Sequence, residues 1–173
     1  MNKIPETELK SILSKVKLLA LDVDGVLTDG GLYFTDSGEE FKRFNVKDGL
    51  GIKLVMQEGI EVAIITVSTA NAVRHRAKKL GIEHLYLGRE DKLTAMNELC
   101  DRLNLSLAEV AYVGDDLTDL PVLKAVGCPL TVADAIPQNQ EASIYVTARL
   151  GGQGAVREIC ELLREHRGNE ENQ

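Results

Sequence analysis

Residues 16–29 read VKLLALDVDGVLTD, an apolar run that changes to acidic residues at Asp22 and Asp24. The run from Val16 to Val23 is apolar enough for a buried β-strand, and we predict that this strand ends at Asp22. Gly25 permits a tight turn directly after it. Two carboxylates therefore lie close together where the backbone leaves the predicted strand.

Two further apolar runs end in polar residues in the same way. Val62 to Ile65 is followed by Thr66, and Val110 to Val113 is followed by Gly114-Asp115-Asp116. Helical patterns alternate with these runs, over residues 6–15, 49–58, 70–80 and 92–103. The alternation predicts an α/β fold with a Rossmann-like, doubly wound parallel sheet. Because ligands bind beyond the carboxyl ends of such strands, the polar strand ends mark the predicted site.

One segment interrupts the alternation. Leu32-Tyr33-Phe34, the turn signal Thr35-Asp36-Ser37-Gly38 and residues 39–44 predict an inserted β-hairpin beside the end of the first strand. The chain has 173 residues, which suits one domain and leaves no room for a separate cap domain. Residues 1–173 are therefore predicted to form a single domain, with a charged tail that frays after about residue 165.

The composition argues against several functional classes. The 20 basic and 27 acidic residues give a formal charge of −7, and no basic stripe is present, so nucleic acid is not an expected partner. We find no apolar stretch of bilayer length and no signal-peptide pattern, so we expect no membrane partner and a cytoplasmic location. Cys100, Cys128 and Cys160 are far apart, which predicts reduced and mostly buried thiols.

The paired carboxylates at the end of the first strand suit phosphoryl transfer. One carboxylate can attack phosphorus and form an acyl phosphate, while the other protonates the leaving oxygen and later activates water. Asp-x-Asp-Gly segments also occur in turns and calcium loops. A calcium loop would continue with further oxygen ligands at alternate positions, whereas Val26 and Leu27 follow here.

Later strand ends and helix starts supply groups that would complete such a site. Thr66 could donate a hydrogen bond to a phosphate oxygen, and Lys92 could neutralise charge on the transferring group, although a capping threonine and a solvated lysine are ordinary alternatives. Asp115, Asp116 and Asp119 concentrate negative charge that a cation would compensate, and Mg²⁺ suits such oxygen ligands. Asp116 has the alternative role of a helix N-cap.

Taken together, these pieces resemble the haloacid dehalogenase superfamily over residues 17–164. The resemblance implies that Asp22 is the nucleophile and Asp24 the general acid and base. It also implies a Mg²⁺ ion bound by Asp22, Asp115 and the backbone carbonyl of Asp24. It further implies that Thr66 and Lys92 are catalytic residues that bind phosphate. Asp116 and Asp119 are implied to support the metal ligands.

Within that superfamily the chain is most similar to the small capless group that hydrolyses 3-deoxy-D-manno-octulosonate 8-phosphate in lipopolysaccharide precursor synthesis. The similarity lies in residues 22–29, 44–49, 114–117 and 151–158. It implies a homotetramer whose neighbouring subunits close the site through the hairpin or through residues 151–157. It also implies a set of residues that bind the sugar acid phosphate: Asn45, Val46, Lys47, Asp48, Gly49, Lys53, Ser68 and Arg76, with Arg74 as an alternative to Arg76.

The chain departs from the group's pattern where it would bind the sugar. Val67-Ser68 replaces the usual Gly-Arg after the motif threonine, and Lys53 stands where arginine is common, which removes bidentate recognition of an anion. A nine-carbon sugar acid 9-phosphate is therefore an alternative substrate. A phosphomutase would need a substantial cap. The remaining alternative is a weakly active assembly domain related to those attached to sugar-nucleotide synthetases.

Overall fold

Strands and helices alternate along the chain in the computed structural model, which describes residues 1–167. The strands are β1 (Leu18–Leu21), β2 (Tyr33–Phe34), β3 (Glu40–Phe41), β4 (Glu61–Ile65), β5 (His84–Tyr86), β6 (Val110–Val113), β7 (Cys128–Thr131) and β8 (Tyr145–Val146). The α-helices are α1 (Glu6–Leu13), α2 (Val46–Gln57), α3 (Asn71–Leu80), α4 (Lys92–Leu103), α5 (Leu120–Leu123), α6 (Pro137–Ala142) and α7 (Ala155–Arg167). Short 3₁₀ helices lie at Leu107–Glu109 and Leu117–Asp119.

Six strands form one parallel sheet in the order β5-β4-β1-β6-β7-β8. β1 lies at the centre, where Leu21 pairs with Ile64 of β4 and with Val113 of β6. Because these three strands are parallel, their carboxyl ends meet at one edge of the sheet. The predicted α/β fold with a doubly wound parallel sheet is confirmed.

Helices cover both faces of the sheet. Leu19 and Leu21 of β1 belong to one apolar layer, which contains residues of α1, α2, α3 and α7. Leu18 and Ala20 belong to a second layer, with residues of α4 and α5. Burial of each leucine side chain stabilises the fold by about 1.5–3 kcal/mol, so the strand that carries the acidic motif is held on both sides. The three cysteines are buried and unpaired, as predicted.

The hairpin of β2 and β3 forms a separate two-stranded sheet. Tyr33 pairs with Phe41, and their rings stack at a centroid distance of 5.5 Å. Leu32, Phe34 and Phe41 expose 70%, 59% and 52% of their surface, and we call these three residues the hairpin patch. A patch of large apolar side chains is typical of a surface that another protein covers.

Several predicted boundaries differ from the structure by one to three residues, among them the start of α2 and the end of α7. α2 begins at Val46 instead of residue 49, because the side chain of Asn45 accepts a hydrogen bond of 2.8 Å from the amide of Lys47 and caps the helix. α7 continues to Arg167, beyond residue 165, while the remaining predicted tail at 168–173 lies outside the described residues. Between residues 1 and 167, none of the helices has the length and apolar character needed to cross a bilayer.

Candidate active site

A pocket of about 170 Å³ lies at the carboxyl edge of β1, β4 and β6. The acidic motif follows β1, Thr66 follows β4, the second acidic motif follows β6, and α4 begins at the pocket with Lys92. The pocket is lined by Asp22, Asp24, Thr66, Val67, Ser68, Lys92, Asp115, Asp116 and Thr118. The structure therefore brings together the four side chains that the sequence predicted to be catalytic, from two strand ends and one helix start.

Lys92 lies between two buried carboxylates. Its Nζ is 2.9 Å from Oδ1 of Asp22 and 2.6 Å from Oδ1 of Asp119, and its side chain is 1% exposed. Burial and, to a lesser degree, the charge of Asp119 together raise the pKa of Asp22 to about 7, although Lys92 opposes the rise. Although burial acts in the opposite direction, the two carboxylates raise the pKa of Lys92. The ammonium therefore stays charged and fixes the orientation of Asp22.

Asp119 anchors the loop that follows β6. Its Oδ1 accepts hydrogen bonds from Lys92 and from the hydroxyl of Tyr112, the latter at 2.5 Å. Its Oδ2 accepts hydrogen bonds from the amides of Asp115 and Asp116, at 3.0 and 3.2 Å. Both carboxylate oxygens are thus occupied by protein donors, which makes Asp119 a support for the site and a poor metal ligand.

The carboxylates of Asp22 and Asp115 fit a divalent cation. Oxygens of Asp22, Asp115 and Asp119 lie within 4.8 Å of one another. Oδ1 of Asp115 is buried and has no hydrogen-bond partner among the described residues. Burial and, to a lesser degree, the charges of Asp22 and Asp119 together raise the pKa of Asp115 to about 7. A cation would offset this repulsion and give the unpaired oxygen a partner.

Asp24 is bound by a residue that the sequence did not single out. Nζ of Lys42, which follows β3, donates hydrogen bonds of 2.7 Å to Oδ1 of Asp24 and of 2.7 Å to Oε1 of Glu40. The hydroxyl of Thr28 lies 3.4 Å from the same oxygen of Asp24. Lys42 could have been found only through the prediction that a hairpin lies beside the end of β1.

The loop after β4 forms one wall of the pocket and carries no cation. The buried hydroxyl of Thr66 accepts a hydrogen bond of 3.1 Å from the amide of Ser68. The hydroxyl of Ser68 accepts a hydrogen bond of 3.3 Å from the amide of Ala70. Val67 exposes 41% of its surface. The loop thus presents an apolar side chain and a hydroxyl to the pocket.

Among the residues predicted to bind the sugar, Ser68 alone lines this pocket within residues 1–167. Lys47 lines a different pocket beside α7, with Arg149 and Arg157. Val46 and Lys53 are exposed on α2. Lys47, Val46 and Lys53 therefore do not line the pocket at the acidic motif within one subunit.

The other predicted sugar-binding residues brace the start of α2. Asn45 donates a hydrogen bond of 3.3 Å to the carbonyl of Gly152, and Oδ1 of buried Asp48 accepts one of 2.8 Å from the amide of Arg157. Arg76 donates a hydrogen bond of 2.9 Å to the carbonyl of Asn45. A Cβ at position 49 would lie 2.3 Å from Nη2 of Arg76, so a side chain there would displace the guanidinium. These contacts give the segment a structural role within the subunit.

Comparisons with known proteins identify relatives of this chain. Residues 85–159 match the family described as haloacid dehalogenase-like hydrolase. The chain is 49% identical over 157 residues to 3-deoxy-D-manno-octulosonate 8-phosphate phosphatase of Salmonella typhi, which covers 91% of this chain and 84% of the relative. It is 51% identical over 148 residues to the same phosphatase of Escherichia coli strain K12, which covers 86% of this chain and 79% of the relative.

A solved structure extends the similarity to the fold. The 3-deoxy-D-manno-octulosonate 8-phosphate phosphatase of Moraxella catarrhalis superimposes with a TM-score of 0.93 at 41% identity, covering 96% of each chain. That crystal structure is a complex with a magnesium ion, a phosphate ion and a KDO molecule. The chain therefore belongs to the haloacid dehalogenase-like hydrolases, in the family of the 3-deoxy-D-manno-octulosonate 8-phosphate phosphatases.

Proposed function

We propose that this chain is a magnesium-dependent phosphomonoester hydrolase whose substrate is 3-deoxy-D-manno-octulosonate 8-phosphate. The observation that carries the proposal is the buried pair of Asp22 and Lys92 beside the unpaired oxygen of Asp115. Its relatives at about half identity carry the name of that activity. The reaction would serve lipopolysaccharide precursor synthesis, in one domain without a cap. Three buried, unpaired cysteines support a cytoplasmic location for it.

The reaction proceeds in two steps on two carboxylates. Asp22 attacks phosphorus, the bond from phosphorus to the sugar oxygen breaks, and Asp24 gives its proton to that oxygen. Asp24 then takes a proton from water, whose oxygen attacks the phosphorus of the aspartyl phosphate. Inorganic phosphate leaves and Asp22 is regenerated. Lys92 and the hydroxyl of Thr66 stabilise the charge on the phosphoryl oxygens in both steps.

Asp22 and Asp115 are the side chains that would bind magnesium, together with the backbone carbonyl of Asp24. When bound, the ion offsets the negative charge that the carboxylates and the phosphoryl group bring together. Asp116 lies beside these ligands, and its side chain accepts a hydrogen bond of 2.7 Å from the amide of Leu117. It therefore holds the loop that carries Asp115, which agrees with a supporting role for Asp116.

The bound metal is expected to stabilise the protein more at about pH 8 than at about pH 6. The pKa values of Asp22 and Asp115 are raised to about 7, so in metal-free protein the folded state holds protons that the unfolded chain loses at lower pH. The free energy of unfolding of the metal-free protein therefore falls as the pH rises towards 7. The cation binds the deprotonated carboxylates, so protons compete with it at the lower pH. The measurement is the rise in melting temperature at one fixed magnesium concentration.

Asp115→Asn should remove that rise, while Glu39→Gln, which changes an exposed carboxylate of the hairpin, should leave it intact. An equal rise at both pH values in the unmodified protein would contradict the expected competition between protons and metal.

A homotetramer in which neighbouring subunits close the pocket is part of the proposal. The pocket of about 170 Å³ is smaller than the roughly 300–1,000 Å³ of sites that enclose small ligands, so it suits the phosphate end of the substrate alone. The hairpin patch is an apolar surface on the element that borders Asp24 through Lys42. Its burial between subunits would place further groups around the sugar.

Changing Phe34 and Phe41 together to lysine is expected to break the tetramer into smaller species. Lysine at these positions would put charge into an apolar interface, which is costly without partners. Light scattering after size-exclusion chromatography measures the mass. Leu117→Lys is the matched control, because Leu117 is 59% exposed, as is Phe34, but lies outside the hairpin. A double variant with the mass of the unmodified protein would overturn the role of the hairpin patch.

The substrate is tested by phosphate release from three compounds in the presence of magnesium. These are 3-deoxy-D-manno-octulosonate 8-phosphate, a nine-carbon sugar acid 9-phosphate and a simple sugar phosphate. We expect kcat/KM to be at least about tenfold higher for the eight-carbon acid than for either of the others. Preference for the nine-carbon acid would overturn the substrate but not the reaction. Absence of inorganic phosphate with every single substrate would overturn hydrolysis and favour a mutase or an inactive assembly domain.

A further inference from the structure

Lys42 brings a positive charge from the hairpin to the residue that exchanges the proton. Its Nζ lies 2.7 Å from Oδ1 of Asp24, and its side chain is only 2% exposed. In the described part of the chain, Asp24 has one other side-chain contact, with the hydroxyl of Thr28 at 3.4 Å. Lys42 therefore makes the shorter of the two contacts that orient the carboxyl group of Asp24.

The alternation of side chains along β3 explains how one short segment serves two purposes. Glu40 of β3 and Lys42, directly after the strand, lie on the same side of this extended segment, since successive residues point in opposite directions. They pair with each other at 2.7 Å. Phe41 between them points the other way and belongs to the exposed hairpin patch. The same three residues thus carry an ion pair towards the acidic motif and an apolar surface away from it.

Holding a lysine in one place has a cost that the contacts must offset. A lysine side chain loses much of its rotamer entropy when it is ordered. Burial acts against the ammonium, but its hydrogen bonds to Asp24 and Glu40 raise the pKa of Lys42. Glu40 accepts one of the donors, so the lysine is anchored at the hairpin and reaches Asp24 with another. The lysine is therefore held by two carboxylates, although the side chains of Asp24 and Glu40 are 37% and 32% exposed.

We propose that Lys42 is a positioning residue that orients Asp24 for proton transfer to the leaving oxygen. Both side-chain contacts of Asp24 are to Oδ1, which leaves Oδ2 for the proton that passes to the substrate. The ammonium also offsets the negative charge on Asp24 once that proton has left. The inference rests on the proposed function, because it assumes the two-step reaction of Asp22 and Asp24.

The test compares two leaving groups. The alkoxide of a sugar needs a proton to leave, whereas p-nitrophenolate is stable as an anion and leaves without one. In Lys42→Met we expect kcat/KM for the sugar acid phosphate to fall by about 100-fold, as expected for a misplaced catalytic group. For p-nitrophenyl phosphate we expect a fall below about threefold, because general acid catalysis contributes little there. The parameter kcat/KM is used because it reports the first transfer, before the base step that both substrates share.

Two companion variants separate positioning from loss of charge. Lys42→Arg keeps a cation and should recover part of the activity on the sugar acid phosphate. Arg43→Met removes the neighbouring cation, which is 62% exposed and lies 3.5 Å from Asp29, and should leave the ratio of the two substrates unchanged. In the background of Asp24→Asn, Lys42→Met should cause little further loss, because both changes act through one group.

Equal losses on both substrates, or no loss on either, would overturn the role of Lys42. If Lys42→Met does not fold, as judged by thermal melting and by its mass in solution, Lys42→Gln and Lys42→Arg provide the same comparison. Failure of the proposed function would appear earlier and differently, as unmodified protein that releases no phosphate from the sugar acid phosphate.

Discussion

Replacing Asp22 by asparagine is expected to lower phosphate release by at least about 10⁴-fold, because a neutral amide does not attack phosphorus. The fold should survive the change. Asparagine has nearly the same size as aspartate, and Lys92 keeps its 2.6 Å contact with Asp119. Asp22 also carries a pKa raised to about 7 by burial and by Asp119, so removing its charge relieves repulsion in the folded state.

The measurement is a time course of inorganic phosphate with magnesium present, together with the mass of the variant in solution. Asp36→Asn provides the matched control, since it makes the same chemical change in the exposed turn of the hairpin. Turnover by the Asp22 variant that approaches that of the control would refute the assignment of the nucleophile. Loss of the assembled state along with activity would show a structural role in addition.

The centre of the sheet could be predicted because its strands are buried on both faces. β1 and β6 are buried at every residue, so they read as unbroken apolar runs. Each run ends abruptly at a polar residue, which marks the carboxyl edge of the sheet. The helix predicted at 92–103 has the bounds of α4, because Asp91 caps its start and Asn104 ends it at a φ of +54°.

The edges of the sheet could not be predicted in the same way. β5 is only partly buried and has three residues, and β8 has two. β7 contains Pro129, which weakens the signal for a strand. The sequence did contain a signal for α7. Val156, Ile159 and Leu163 are spaced so that they lie on one face of a helix, and they pack in the core. The charged residues on its opposite face obscure that pattern, and we predicted no helix over these residues.

For the site, strand ends predicted which residues meet, but not how their side chains pair. The predicted catalytic residues line one pocket, because the topology of a parallel sheet places them there. The contact of Lys42 with Asp24 joins two segments through a hairpin whose orientation the pattern does not specify. Arg76 was predicted to bind the sugar, and that role stays a prediction. Its donor contacts the carbonyl of Asn45 because α3 packs beside the start of α2.

Replacing Lys92 by methionine is expected to lower the free energy of unfolding by about 3–5 kcal/mol, the usual cost of breaking a buried ion pair. Methionine fills much of the volume of the lysine but leaves Asp22 and Asp119 without the cation between them. Catalysis should fall by about 100-fold or more, because the phosphoryl oxygens lose a preorganised positive charge. Unfolding by urea in metal-free buffer measures the first effect, and phosphate release with magnesium measures the second.

The two causes of instability, repulsion and lost packing, are separated by adding Asp22→Asn to the Lys92→Met variant. If uncompensated carboxylates cause the loss, the double variant should recover a substantial part of the stability, since one of the two charges is gone. Activity should fall further, at least to the level of Asp22→Asn alone, because the nucleophile is then missing as well. Lys124→Met, at an exposed lysine, should change stability little and so controls for the substitution itself. A loss that Asp22→Asn does not reduce would instead assign the contribution of Lys92 to the packing of its aliphatic chain.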